Sequence, residues 1–322
     1  VFKQGLEGKI LFVFSDPGGA KPCLALSDKL NKSNLVVLSD REYSFYNDFE
    51  TDVIRIQELE ELEEYIESFK PDLIFTGTSY TSSLEKTAIK SAKKKNIKVF
   101  SFVDHWTAIS ERFTGEQENF ELPDQIWVID EKAMNIAISE GISAELIVIS
   151  GNPYHAWLKN WKPKNIRSVF LNAYNIPLNK QIILFAPDPL SNVNGVEAYG
   201  YDEYSVSQKM IELVEQCSNS EKEKYHFLVK AHPNQNYTKL CKLFINQTYF
   251  TVLPQSVDTN ESIYHADVVM GFFSSILIEA EIMGKVVIRF LVKDSKKDPF
   301  FNLNLGTIVN EDNLMKTILK LR

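Results

Sequence analysis

Apolar residues in this chain gather in short runs set off by turn signals. Residues 9–14 (KILFVF), 35–38, 53–56, 72–76 (DLIFT), 99–103, 125–129 and 146–149 are such runs. A run of this length with no polar alternation predicts a strand buried on both faces. Between the runs the spacing turns helical, as in the acidic amphipathic stretch 58–69 and the lysine-rich stretch after Gly77-Thr78-Ser79. Strands alternating with helices predict a parallel sheet with right-handed crossovers.

The pattern breaks at Gly151-Asn152-Pro153, and residues 154–179 read as helical up to a stop at Pro177. A second alternation follows, with strands at 182–185, 227–229, 250–252, 268–270 and 286–290 and helices at 204–217 and 238–245. Residues 187–201, rich in Asn, Gly, Ser and Tyr, read as a long loop. The expected fold is therefore α/β, with two Rossmann-like doubly wound parallel-sheet domains facing a cleft. The expected divisions are a first domain at 1–153, a helical connection at 154–179, a second domain at 180–310 and a last helix at 311–322. Doubly wound sheets hold ligands at the carboxyl ends of their strands, which is where the polar clusters of this sequence fall.

Composition narrows the class. The chain has 322 residues, 44% of them apolar and 24% charged, which is ordinary for a globular protein of about two domains. A net charge of −8 argues against nonspecific nucleic-acid binding through a global field. Cys23, Cys217 and Cys241 form neither a metal-like pair nor a disulfide framework, which suits a reducing cytoplasm. No segment approaches the ~18 apolar residues of a membrane span, and the start VFKQGLEGKI lacks the apolar core of a signal peptide. The run Lys93-Lys94-Lys95 reads as a solvated helix end, with peripheral contact at the inner face of a membrane as the alternative. The sequence leaves the oligomeric state open.

The chemistry concentrates at residues 266–284, ADVVMGFFSSILIEAEIMG. They read as a strand, a tight turn carrying Gly271, and a helix opening at Ser274 or Ser275 and closing at Gly284. A helix N-terminus just beyond a strand offers unpaired N–H groups and a favourable dipole, a seat for phosphate. Glu279 lies too far from either serine for a capping box, and its apolar neighbours bury it. It reads as a carboxylate for a sugar diol, most naturally a ribose, with a cap or a solvated face residue as the competing reading. His232, in Lys230-Ala231-His232-Pro233, follows a strand, with Lys230 grouped beside it, and is expected to donate to a phosphate oxygen or protonate a leaving group, a structural histidine being the competing reading. In the first half, Asp16 precedes the paired Gly18 and Gly19, and Asp104-His105 ends the fifth strand. Asp16 as a turn residue and Asp104 as a helix cap are the competing readings. Gly18, Gly19, Gly151 and Asn152 are expected to line the cleft. No Asp-x-Asp metal motif stands out; Asp202-Glu203 reads as solvated, and His155, His226 and His265 as structural.

KAHP (230–233), ADVVMGFFSSILIEA (266–280) and GNP (151–153) together resemble the GT-B superfamily. The likeness is to bacterial capsule and surface-polysaccharide transferases with His-Pro and Ser-Ser motifs: sialyltransferase-like, Kdo-transferase-like and CDP-glycerol glycerophosphotransferase-like enzymes. It spans most of the chain and is specific in the second half. The resemblance implies metal-independent transfer of a sugar or related group, with no cofactor, from a nucleotide-sugar donor to a glycan or lipid-linked acceptor. It implies that the domain at 180–310 holds the donor and the domain at 1–153 the acceptor, that the last helix at 311–322 packs back toward the first domain, that His232, Ser274 and Ser275 contact donor phosphate and that Glu279 contacts the ribose. The base is expected to be Asp16, with Asp104 and His105 lining the acceptor pocket; a retaining reaction would need none. Phe272-Phe273 stands where the hydrolysing UDP-GlcNAc 2-epimerases carry a glycine-rich turn, and Asn234 stands where they prefer arginine. A nucleotide-sugar epimerase or hydrolase is the second reading, and a catalytically silent nucleotide-sugar-binding partner the third.

Overall fold

The computed structural model describes residues 5–79, 82–115, 120–290, 298, 300 and 303–321. The chain divides into two compact units, Val1–Trp157 and Leu158–Arg322.

The first unit is built on seven parallel strands: β1 (Ile10–Phe14), β2 (Leu35–Ser39), β3 (Ile54–Arg55), β4 (Leu73–Thr76), β5 (Lys98–Val103), β6 (Gln125–Val128) and β7 (Ile147–Ile149). Their order across the sheet is β3-β2-β1-β4-β5-β6-β7. All five residues of β1 are buried, as a central strand covered by helices on both faces must be. The chain winds outward from β1 in one direction through β3, then returns to place β4 on the other side of β1. The carboxyl ends of β1 and β4 therefore form the switch point, where the connecting loops part and leave a crevice.

Two glycines fix that junction. A Cβ on Gly19 would lie 2.8 Å from the Cα of Gly77, and one on Gly77 would lie 2.7 Å from the Cα of Gly19. Gly18 and Gly19 are in the first turn of the helix Pro17–Ser27 rather than in a preceding loop. Pro17 begins that helix because its fixed φ and missing N–H suit the first helical position.

The second unit repeats the plan with β8 (Gln181–Phe185), β9 (Tyr225–Val229), β10 (Phe250–Val252), β11 (Val268–Gly271), β12 (Val286–Phe290) and β13 (Thr307–Val309). The order β10-β9-β8-β11-β12-β13 puts its switch point between β8 and β11. Both units are doubly wound, as the alternation of elements requires.

Several details differ from the sequence reading. Residues 154–179 hold two helices, Pro153–Leu158 and Arg167–Ala173, parted around Pro163. The second helix is tied into its own unit, for Arg167 donates to the His265 carbonyl and, at 2.7 Å, to Asp267. The stretch 187–201 contains the turn Leu190–Val193 and the helix Gly195–Tyr199, folded against each other. Strand β13 has no strong sequence signal. In the final helix, Leu314–Ile318, both named residues are buried in the core of the second unit, and Tyr225 donates to the Ile318 carbonyl at 3.3 Å. Among the described residues no helix is long and apolar enough to cross a membrane.

Candidate functional site

In the first unit the polar residues beyond the strands form one linked cluster. Asp16 occupies the N-cap position of Pro17–Ser27, yet its side chain does not cap the helix. Its carboxylate accepts from Ser79 Oγ at 2.6 Å, across the β1–β4 switch, and pairs with Arg41 Nη1 at 3.2 Å. Asp104, beyond β5, pairs with Arg112 Nη1 at 2.9 Å, and the same Nη1 donates to Thr78 Oγ1 at 2.9 Å. The carboxylate of Asp104 lies against Gly18: a Cβ there would come within 1.9 Å of Oδ2. The absence of a side chain at Gly18 is what lets the β5 loop close on the start of the first helix.

Asp16, Gly18, Gly19 and Asp104 thus meet at one end of the sheet. His105 adjoins them, its Nδ1 2.9 Å from Thr107 Oγ1, and burial lowers its pKa against the opposing pull of Asp104. Trp106 donates to Asp130 at 2.8 and 3.0 Å, and Asp130 also caps the helix Glu131–Ser139. Gly151 and Asn152 follow β7, the edge strand, and make local contacts there. Gly151 has φ +74°, and Asn152 Oδ1 accepts from the Tyr154 N–H at 3.0 Å.

Glu85 went unnoticed in the sequence. It is 3% exposed and accepts from the Ser15 N–H at 2.9 Å and from Ser15 Oγ at 3.1 Å. Burial pushes its pKa up to about 7 despite those bonds.

In the second unit the helix Ser275–Ile282 begins beyond β11 with Ser274 at its N-cap, the side chain of Ser274 making no capping bond. Gly284 takes φ +74° just past the helix, the left-handed turn its lack of Cβ favours. Asp188, beyond β8, reaches this junction. Its Oδ2 accepts from the Phe273 N–H at 3.2 Å, and the Phe272 and Ser274 N–H groups also stabilise its charged form. Burial outweighs them and raises its pKa to about 7. A carboxylate of the chain itself thus faces the amides that the sequence assigned to phosphate. Arg289, 1% exposed and ion-paired with Asp298, donates from Nε to the Phe272 carbonyl at 3.3 Å and braces the same turn.

Glu279 is 4% exposed within the helix, whereas Ser275 is exposed. Lys230 is 7% exposed, donates from Nζ to the Gln255 carbonyl at 3.2 Å, and has its pKa lowered by burial to about 8. His232 Nδ1 accepts from the Asn234 N–H at 3.1 Å, which makes Nε2 the protonated nitrogen of the neutral ring. Burial depresses its pKa. The loops beyond β8 and β9 are joined where Asn192 Nδ2 donates to the Asn234 carbonyl at 2.9 Å.

Glu203 corrects the sequence reading, being fully buried rather than solvated. Its two oxygens accept from the Ser191 N–H at 2.8 Å and from Ser191 Oγ at 2.5 Å. His226, with Nε2 2.8 Å from Thr251 Oγ1, and His265, stacked on Phe170 at 4.7 Å, are held in the interior of the unit. Among the described residues no group of three or more His, Cys, Asp or Glu is arranged to hold a metal ion.

The family model described as CDP-glycerol:poly(glycerophosphate) glycerophosphotransferase matches residues 107–297, more than half of the chain. The chain belongs to this family. No curated protein matches it in sequence. Its fold is similar to that of UDP-GlcNAc 2-epimerases. The enzyme from Methanocaldococcus jannaschii has a TM-score of 0.68 at 15% identity, over 98% of this chain and 93% of that one. The Neisseria meningitidis enzyme bound to UDP-GlcNAc gives 0.66 at 15%, over 96% and 90%. Anabaena Alr3699/HepE in complex with UDP and glucose gives 0.65 at 15%, over 97% and 89%. At that identity the likeness is one of architecture, the two-domain α/β arrangement of GT-B type. This glycerophosphotransferase-family chain carries KAHP and the serine pair inside the matched segment, the first on the loop beyond β9 and the second at the helix start beyond β11.

Proposed function

We propose that the protein transfers a group from a nucleotide-activated donor to a hydroxyl of a glycan or lipid-linked acceptor in surface-polysaccharide assembly, working peripherally on the cytoplasmic face of a membrane. The family match carries this reading, and it favours a glycerophosphoryl-type group over a simple sugar. In that reaction the acceptor oxygen bonds to the donor phosphorus next to glycerol. The bond from that phosphorus to the bridging oxygen breaks, CMP leaves, and the acceptor proton passes to a base. If the group is instead a sugar, the acceptor oxygen bonds to the anomeric carbon and a nucleoside diphosphate leaves.

The second unit suits the donor. His232 Nε2–H and the ammonium of Lys230 are cationic or donating groups for the diphosphate, the hydroxyls of Ser274 and Ser275 stand at a helix N-terminus, and Glu279 offers acceptors for ribose hydroxyls. The first unit suits the acceptor. Asp16 and Asp104 are carboxylates held by arginines, and His105 is kept largely neutral by burial. Asp16 is assigned as base, with Asp104 and His105 lining the acceptor pocket; such a base contributes roughly 10²–10⁴-fold.

The test is a thermal-shift panel of CMP, CDP, UDP and GDP, followed by turnover of CDP-glycerol and UDP-sugars with and without acceptor in the presence of a chelator. Glu279→Ala is expected to weaken nucleotide binding, and Asp16→Asn to spare binding while slowing turnover at least about 100-fold. Unchanged binding in the first variant removes the ribose role, and an unchanged rate in the second removes the base. Epimerised or free sugar formed without acceptor would shift the assignment to the epimerase or hydrolase reading. Binding with no turnover on any acceptor would shift it to a silent binding partner.

A further inference from the structure

The loop beyond β9 holds a polar group whose hydrogen bonding is incomplete. Gln235 is 6% exposed, and its side-chain Nε2 is buried without a hydrogen-bond partner among the described residues. Its Oε1 accepts from the His232 N–H at 3.1 Å, and its own N–H donates to the His232 carbonyl at 2.9 Å. Exchanging the amide oxygen and nitrogen would set Nε2 against the His232 N–H, donor facing donor, so the amide orientation is fixed by its neighbour. A buried amide donor left unpaired costs about 1–3 kcal/mol, so its persistence in a tightly bonded loop calls for a partner.

The chemistry around it says which partner. The same loop carries His232, whose Nε2 bears the proton because Nδ1 accepts from Asn234, and Lys230, a buried ammonium. Among the described residues no carboxylate hydrogen-bonds to residues 232–235, whose bonds are made by main chain, imidazole and amide; the charge that faces Lys230 is that of Asp258, which acts on it through space. Two N–H donors on one loop, with an ammonium whose charge Asp258 offsets only in part, suit an oxygen-rich anion.

We propose that Gln235 is a donor-binding residue, whose side-chain NH2 donates to an oxygen of the diphosphate of the activated donor alongside His232. This rests on the proposed nucleotide-dependent transfer and adds to it a contact that the His-Pro and serine motifs do not include. Gln235 binds ligand and moves no proton.

The experiment uses the full-length protein, selectively 15N-labelled at glutamine side chains, with Gln235→Met to assign the resonance. Saturating CDP is expected to move the Gln235 NH2 pair and slow its exchange with solvent, whereas cytidine, which lacks the diphosphate, leaves it in place. By titration, Gln235→Met is expected to lose at least about tenfold in affinity for CDP and little for cytidine. If the methionine variant fails to fold, Gln235→Glu, which keeps an acceptor for the His232 N–H and removes the NH2, makes the assignment; a Gln235 NH2 pair that does not respond to CDP in the wild-type protein, already slow to exchange through a buried water, overturns the inference. An unchanged CDP affinity in a folded variant overturns it too. If no nucleotide binds the wild-type protein, the transfer reading itself fails, a result distinct from either.

Discussion

Replacing Asp188 by asparagine should change the stability of the second unit by an amount that depends on pH and reverses sign. In the folded chain burial raises the pKa of this carboxyl from 3.8 to about 7, although backbone N–H groups of residues 272–274 oppose the rise. Below the unfolded value both states are protonated and the side chain imposes no penalty. As pH rises toward the folded value, the unfolded chain releases its proton while the native chain retains it, so stability is lost; above about 7 the loss is complete. Roughly three decades of proton affinity at about 1.4 kcal/mol each set a ceiling of about 4 kcal/mol.

The asparagine of Asp188→Asn cannot ionise, but it presents one acceptor and an NH2 to amides that want acceptors, a cost of about 1 kcal/mol. The variant should therefore be less stable than wild type by about 1 kcal/mol near pH 3, level with it near pH 4.5, and more stable by about 3 kcal/mol near pH 8, so the comparison is made at pH 3 and pH 8. Urea unfolding followed through Trp161, the one tryptophan of the second unit, measures this directly. A difference between the two proteins that is the same at both pH values would refute the argument, because only a titrating group makes it vary.

Glu85 offers the same test in the first unit. Its pKa is also raised to about 7 by burial, so Glu85→Gln should flatten the fall in stability between about pH 4.5 and 7, read by unfolding monitored through Trp127. Gly19→Ala should destabilise the first unit by roughly 1–3 kcal/mol, because the new methyl would press on the backbone of Gly77 at 2.8 Å with no side chain able to yield. A melting temperature within a degree or so of wild type would show that the helix and β4 can part at little cost.

The sequence by itself determined the elements and their order. Continuous apolar runs such as residues 10–14, too short for helices and bounded by turn signals, are strands covered on both faces, and helices between them lead to parallel pairing; the likeness to GT-B enzymes was carried instead by the motifs at 151–153, 230–233 and 266–280. It also placed a helix start at Ser274 or Ser275, because strand, turn and helix are local, and Gly284 at its end; Ser274 is the N-cap and Ser275 the first helical residue. What it could not set were pairings between loops distant in the chain. Asp16 meets Ser79 and Arg41, Asp104 meets Arg112, and Asp188 reaches the turn before Ser275 only because the sheet order lays those strand ends side by side. An Asp-Pro step stands just beyond the first strand of each unit, Asp16-Pro17 and Asp188-Pro189, and is the sequence signal that marks Asp188 as the counterpart of Asp16.

Burial was likewise a tertiary outcome. Glu203 looks solvated beside Asp202, yet it is enclosed because Ser191 supplies a donor to each of its oxygens. Local sequence fixes backbone conformation through short-range sterics and hydrogen bonds. The charge state and partners of a side chain depend on what the fold brings against it, and here that is decided by which strands are neighbours at each switch point.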